Sequence, residues 1–176
     1  MRIKINKEIE FLFKKILPDK YLLKKRLIRA IKNNYEEELS ILDKIVNKDL
    51  ESVDVGVYRG VYSYKLSKIS KHVHSIEPNP LIFPYLEKNL KKIINNITLY
   101  NYAASDKDSE TQLKIAKRFN TINSKNYEEK YKLGSATIHK FNNLNDEDYE
   151  IYTIQTKKLD DLLKDKKIGF KKIDVE

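Results

Sequence analysis

Residues 52–56, Ser-Val-Asp-Val-Gly, and residues 72–80, His-Val-His-Ser-Ile-Glu-Pro-Asn-Pro, decide how this chain folds. Each is a short apolar run that stops at a carboxylate and a backbone breaker, the pattern of a buried strand entering a loop. Tyr62–Ile69 lies between them with the length of a helix, and Leu81–Ile94 follows as an amphipathic helix with Leu86, Leu90 and Ile94 at four-residue spacing. Ile97–Tyr102 makes a third strand. This β-α-β-α-β alternation predicts an α/β fold, a parallel sheet with helices on its faces.

Working outward, residues 1–50 read as a helical segment. Glu8–Leu17 is stopped by Pro18, which lacks the N–H a helix needs. From Lys20 to Asn33, Leu23, Leu27, Ile28 and Ile31 share a face, and basic residues fill the others. Glu36–Val46 predicts another helix that buries Ile41, Leu42 and Val46, with glutamates in the first turn where the helix dipole favours them. On the other side, Thr111–Ala116 and Tyr152–Thr156 read as strands. The stretch of about 107–158 that contains them is expected to be an inserted β-hairpin or a lid, its pairing left open. Leu159–Leu163 is a short helix and Phe170–Val175 a further strand. The division expected is residues 1–50 as an N-terminal helical extension and 51–176 as a nucleoside-binding domain.

Composition narrows the class. The chain has no cysteine, which excludes disulfides and thiolate metal sites. No apolar run approaches the roughly 20 residues of a membrane span, and the N-terminus is not a signal peptide, so the expected compartment is the cytoplasm. The net charge of +9 is concentrated: residues 1–35 carry 11 Lys/Arg against 3 Asp/Glu, and the remainder 24 against 23. A surface that tracks phosphates along nucleic acid needs basic residues spread over it, so nucleic acid is disfavoured as a partner. The basic helix at residues 20–33 has two readings. It packs its leucines on the domain and holds its lysines in water, or it makes a peripheral membrane or acidic-glycan contact.

In an open parallel sheet, ligands sit at the carboxyl ends of the strands. The first strand ends at Asp54-Val-Gly56 and runs through Val-Tyr58-Arg-Gly60 into a helix. Gly56 permits a tight turn and Gly60 close helix–strand packing. The second strand ends in Glu77, 23 residues after Asp54, where a carboxylate can accept hydrogen bonds from ribose hydroxyls. The dinucleotide fingerprint needs a middle glycine so that backbone can approach a pyrophosphate. Here Tyr58 and Arg59 occupy the loop, and a pyrophosphate would meet side chains. S-adenosylmethionine (SAM) has no phosphate, and its two positive charges suit Asp54 and Glu77, so SAM is favoured over NAD and ATP. His72 and His74 share one side of a strand without a third ligand and read as structural, so no metal site is assigned. His139 is set aside as a general base.

These residues resemble the FkbM family of SAM-dependent methyltransferases. The family's D-x-G-A-N-x-G-x-Y-S is matched by Asp54-Val-Gly56-Val-Tyr58-Arg-Gly60-Val-Tyr62-Ser63, with Val57-Tyr58 in place of Ala-Asn. Its E-P-N-P is intact as Glu77-Pro78-Asn79-Pro80, followed by Phe83, Leu86 and Asn89. Asn101-Tyr-Ala103-Ala104-Ser105-Asp106, Gly134-Ser135-Ala136, Leu159-Asp160 and Lys172-Ile-Asp174-Val-Glu176 follow in the family's order, so the resemblance runs from about residue 36 to 176. It implies a Rossmann-like fold, SAM as methyl donor, a hydroxyl on a sugar or other small molecule as acceptor, and no metal. By the same resemblance Gly56, Tyr58, Gly60 and Ser63 belong to the cofactor loop, with Asp54 toward the amino-acid end of SAM. Glu77, Pro78 and Asn79 hold the ribose, and Ala104 with Ser105 lines the adenine. No catalytic residue is assigned; Asp174 and Glu176 are the candidates for facing the reaction centre. The last motif stops at Glu176 without its glycine, so the sheet is expected to be incomplete at the C-terminus and the chain a truncated reading of a longer enzyme. Three rival readings stand beside this one: a non-catalytic remnant, a basic binding module driven by residues 1–35, and a nucleotide-sugar or NAD enzyme.

Overall fold

In the structure, a computed structural model, residues 17–33, 36–117, 131–138 and 148–175 are described. Strand β1 (Glu51–Val55) is central to the first of two four-stranded sheets, whose order is β3-β2-β1-β8. It pairs in parallel with β2 (Val73–Ile76) on one side and with β8 (Ile168–Ile173) on the other. Strand β3 (Ile97–Tyr100) extends the sheet beyond β2, also in parallel. Alternation sends Ser52 and Asp54 of β1 to one face, Val53 and Val55 to the other. Both faces are covered, which is why these strands read as near-continuous apolar runs.

Helices cover the Asp54 face. These are α1 (Asp19–Lys32), α3 (Val61–Leu66) and α4 (Phe83–Leu90), whose Leu23, Leu27, Leu66, Leu86 and Leu90 form one core with Val73 and Leu99. The opposite face packs Val53, Val55 and Ile76 against Leu163 and the short α5 (Leu159–Leu162). The expected architecture of a Rossmann-like parallel sheet with helices on both faces is therefore present.

Two expected faces are corrected. In α1 the buried residues are Leu23, Leu27 and Ala30, while Ile28 is 37% exposed. At about 100° per residue the first three fall within a narrow arc, whereas Ile28 lies far around the helix from Leu23. Residues 36–46 are not one helix. Glu37–Ser40 forms a 3-10 turn and Leu42–Ile45 the short α2, burying Leu39, Leu42 and Val46 and leaving Ile41 exposed. Three residues per turn stack Leu39 over Leu42, a phase that an α-helical reading misses.

Residues 103–158 contribute a second sheet of order β4-β7-β5-β6. Strand β4 (Ala103–Ser105) pairs in parallel with β7 (Tyr149–Lys158), and β5 (Ser109–Lys117) lies antiparallel to both β7 and β6 (Tyr131–Thr137). The described part of the stretch expected as a hairpin or lid is thus largely sheet, with Ala103, Leu113, Ile115 and Ile154 as the core of that sheet. The expected helix at residues 8–17 lies almost wholly outside the described residues.

β8 carries a bulge that no pattern announced. Glu51 pairs with Ile168 but Ser52 with Phe170, so Gly169 is the extra residue. A Cβ there would lie 2.7 Å from the Leu50 side chain, which accounts for the glycine. Ile168 joins the α5 face and Phe170 the helical core, and the shift sets Lys172 beside Asp54.

The turn out of β1 is equally tight. Gly56 has φ +82°, and a Cβ on it would lie 2.0 Å from the Asp174 carbonyl oxygen at the end of β8. Gly56→Ala is expected to destabilise by more than the ~1–2 kcal/mol of left-handed strain alone, because rigid backbone must also move. Urea unfolding checks this, a loss under 1 kcal/mol being the contrary result.

Candidate functional site

The site is built where β1 and β2 end. Asp54 is fully buried. Its Oδ2 accepts a 2.6 Å hydrogen bond from the Ser63 hydroxyl, which itself lies 2.8 Å from Ser75 Oγ. Its Oδ1 has no hydrogen-bond partner, and the Lys172 ammonium stands 3.6 Å away. Burial pushes the Asp54 carboxyl up; Lys172 and the Ser63 hydrogen bonds oppose that rise. The same ammonium donates to the Gly56 carbonyl at 3.2 Å, lies 3.3 Å from Asp174 Oδ2, and sits 4.8 Å from the centre of the Tyr62 ring. Lys172 is thus the shared counter-ion of two carboxylates and a cap on the loop backbone.

Glu77 organises the second loop. Its Oε2 accepts the Tyr58 N–H at 2.8 Å, and its Oε1 accepts the Asn79 N–H at 2.9 Å. Asn79 in turn accepts the Leu81 N–H on its side-chain oxygen, closing an Asx turn into α4. Asn101 donates to the Glu77 carbonyl at 2.8 Å and the Pro78 carbonyl at 3.3 Å. Burial raises the Glu77 carboxyl, and the two backbone N–H bonds pull against it. Each carboxylate oxygen still has a second acceptor position.

The structure brings Asp54, Gly56, Tyr58, Gly60, Ser63, Glu77, Pro78 and Asn79 into one hydrogen-bonded cluster at the ends of β1 and β2. Ser63 and Asn79 are fully buried and bonded inward, so they act on a ligand through Asp54 and the Glu77 turn. Ala104 and Ser105 stand on β4, in the second sheet, shortly after Asn101, which donates to the Glu77 carbonyl. Ala104 is exposed and Ser105 donates to Asp106. Asp174 is exposed beside Lys172, whereas Glu176 and His139 lie outside the described residues. Sequence reasoning missed Lys172 as a site residue, because only the bulge at Gly169 sets its register. His74 is held by Tyr100 and Glu51, and His72 by Thr98.

Beside the loop lies a cavity of about 710 Å³. Leu23, Leu27 and Ala30 of α1, Ile82, Tyr85 and Leu86 at the start of α4, and Val57 and Tyr62 form its apolar wall. Asp19, Arg26, Arg29, Glu36, Arg59, Lys172 and Asp174 supply the charges. Burial and the nearby Glu36 carboxylate raise the pKa of the Tyr62 hydroxyl. Gly56 and Tyr58 belong to the cavity lining as well as to the Asp54 loop, and Glu77 does not line it.

Comparison with known proteins gives one family match and several partial structural likenesses. The family model described as the methyltransferase FkbM domain matches residues 54–176. No curated protein matches the chain. Among solved structures, a Streptococcus mutans protein with a methyltransferase assignment, in complex with SAH, is 18% identical with a TM-score of 0.36, over 39% of this chain and 40% of that one. The 23S rRNA methyltransferase ErmE is 20% identical with a TM-score of 0.34, over 38% of this chain and 28% of its own. A precorrin-6y C5,15-methyltransferase from Geobacter metallireducens is 28% identical with a TM-score of 0.31, over 35% of this chain and 34% of that one. The matched stretch is therefore less than half the length of each of these proteins.

One departure from the family pattern acquires a physical meaning. Tyr58, at the position of the pattern's Asn, has φ +48°. Asn tolerates that left-handed conformation and a bulky aromatic does not. Tyr58→Asn is therefore expected to raise stability by about 1 kcal/mol, the relief of backbone strain exceeding the loss of the ring's contact with Arg59. Paired chemical denaturation curves test this; an unchanged or lowered midpoint would count against strain at this residue.

Proposed function

Because this chain belongs to the FkbM methyltransferase domain family, we propose that it is the SAM-binding part of an enzyme that methylates a hydroxyl oxygen on a sugar or other small molecule. The observation that carries this reading is the pair of buried carboxylates, Asp54 and Glu77, joined across a loop that presents side chains where a pyrophosphate would need bare backbone. The residues fit the cofactor. Asp54 Oδ1 is a buried oxygen without a hydrogen-bond partner, and Glu77 keeps an open acceptor position on each oxygen. Asp54 and Asp174 add negative charge near Gly56, which suits a cationic amino-acid end. In this reading Glu77 accepts from the ribose hydroxyls, Pro78 and Asn79 shape its turn, and Ala104 with Ser105 receives the adenine.

SAM supplies an electrophilic methyl group on a positively charged sulfur. Transfer forms an oxygen–carbon bond as the carbon–sulfur bond breaks, the sulfur leaving as a neutral thioether with the bond pair. The protein's part is alignment, which alone is worth several kcal/mol of barrier. The acceptor's proton must also leave. In this reading Asp174, an exposed carboxylate lining the cavity beside Gly56, accepts it. Lys172 holds that carboxylate in place.

The rival reading of a non-catalytic remnant separates cleanly in titration. SAM and its demethylated product are each expected to bind the chain in calorimetry, and Glu77→Gln to weaken SAM at least tenfold. No heat with either compound would sink the cofactor reading and leave the remnant.

A second reading concerns the outer side of α1. Leu17, Tyr21 and Ile28 are exposed on the side away from the core and are interleaved with Lys24 and Lys25. That mixture supports a peripheral contact with an anionic surface. No helix among the described residues is long and apolar enough to cross a membrane. Co-sedimentation with phosphatidylserine vesicles at low salt is expected, reversed by added salt. Equal recovery with neutral vesicles would rule this reading out.

A further inference from the structure

The chain has 35 basic residues, of which 30 are lysines and only five arginines. Three of those five, Arg26, Arg29 and Arg59, line the cavity beside the Gly56 loop, where they are accompanied by one lysine, Lys172. The cavity therefore inverts the chain's strong preference for lysine. On a solvated face either cation serves, and this chain mostly uses lysine; Arg26, Arg29 and Arg59 are themselves exposed, so what sets them apart is their gathering at one cavity. A guanidinium is distinctive where a planar fork must grip an oxyanion through two parallel hydrogen bonds.

The arginines come from two separate elements that meet only in the fold. Arg26 and Arg29 lie three residues apart on α1, on adjacent turns of one side. Arg59 comes from the loop between β1 and α3, and its guanidinium lies 5.1 Å from the Tyr58 ring centre, a contact that restrains its plane. Lys172 is already engaged by Gly56, Asp54 and Asp174, so it is not the group that meets an incoming anion. Of the lining carboxylates Asp19, Glu36 and Asp174, the last is likewise engaged by Lys172. The volume of about 710 Å³ suits a small molecule, since ligand sites run to roughly 300–1,000 Å³.

We propose that this cavity is the acceptor site and that it takes a hydroxyl compound bearing an oxyanion, a phosphate ester or a carboxylate, gripped by Arg29 and Arg59 with Arg26 beside them. The apolar wall of Leu23, Leu27 and Tyr85 receives the body of the molecule, while Gly56 and Asp174 mark the end nearest the methyl donor. The acceptor role rests on the methyltransferase reading; the anion site itself does not. Basic helix α1 is then a wall of the substrate site.

The test uses the full chain and calorimetry at low salt with glucose 6-phosphate, glucuronate and glucose, and SAM is titrated separately. The expected result is at least tenfold tighter binding of one or both charged sugars than of glucose, and the tighter of the two identifies phosphate or carboxylate as the group read. The double variant Arg29→Gln, Arg59→Gln is expected to lose at least tenfold. Arg29→Lys with Arg59→Lys, which keeps the charge and removes the fork, is expected to lose at least threefold. Lys44→Gln with Lys48→Gln removes the same charge elsewhere on the surface and is expected to bind like wild type. Equal binding of all three sugars overturns the proposal, as does a lysine double variant indistinguishable from wild type, or a surface control that loses as much as the arginine pair. SAM binding without a preference for charged sugars defeats this proposal alone. Sugar-anion binding without SAM binding supports the anion site and defeats the methyltransferase reading instead.

Discussion

A carboxylate with no solvent contact stands at the end of β1, and much of the surrounding structure answers to it. Leaving Asp54 ionised and unpaired in the core would cost several kcal/mol. Ser63 from α3 and Lys172 from β8 supply what water cannot. That requirement ties together three elements far apart in sequence. The extra residue at Gly169 decides which of two consecutive lysines meets the carboxylate: in plain register Lys171, not Lys172, would stand opposite Asp54. The ammonium then serves twice more, capping the Gly56 carbonyl and holding Asp174.

The loop above Asp54 is stiff for related reasons. Gly56, Tyr58 and Gly60 all have positive φ, an arrangement that few sequences permit. Asp174 presses against Gly56 from one side and Leu90 against Gly60 from another. Glu77 fastens the Tyr58 N–H from below. A residue held off its preferred backbone region persists only where its neighbours over-determine it, and such residues gather where a ligand must be met in one geometry. Here the protein's own contacts hold that geometry, and on the proposed function the fold itself supplies much of the alignment that a methyl transfer requires.

Much of this was legible in the chain itself. The strands ending at Gly56 and Glu77, the helix that buries Leu86 and Leu90 (though it ends at Leu90, short of Ile94), and the parallel sheet they imply follow from periodicity and punctuation over a few residues. The acidic residues of the loop cluster were readable because their chemistry is unusual at strand ends. What failed to read was phase and partnership. Ala30 replaces Ile28 on the buried arc, because an alanine carries little hydrophobic signal even where the geometry demands a small side chain. Leu39 replaces Ile41, because a 3-10 turn changes the repeat without a compositional mark. The pairing of β4 with β7 joins segments too distant for any local pattern to connect.

The sequence by itself determined the α/β class, the two strand-end carboxylates, the missing middle glycine and the concentration of basic residues near the N-terminus. These are properties of short windows, where side-chain period and backbone preference act locally. Only the tertiary structure decided that Lys172 faces Asp54, that Gly56 is a glycine because β8 passes against it, and that two helix arginines share a cavity with a loop arginine. Each of these depends on which segments become neighbours. Lys172 and Gly56 are 116 residues apart along the chain, and such neighbours are set by burial and strand pairing across the whole domain, which no local pattern records.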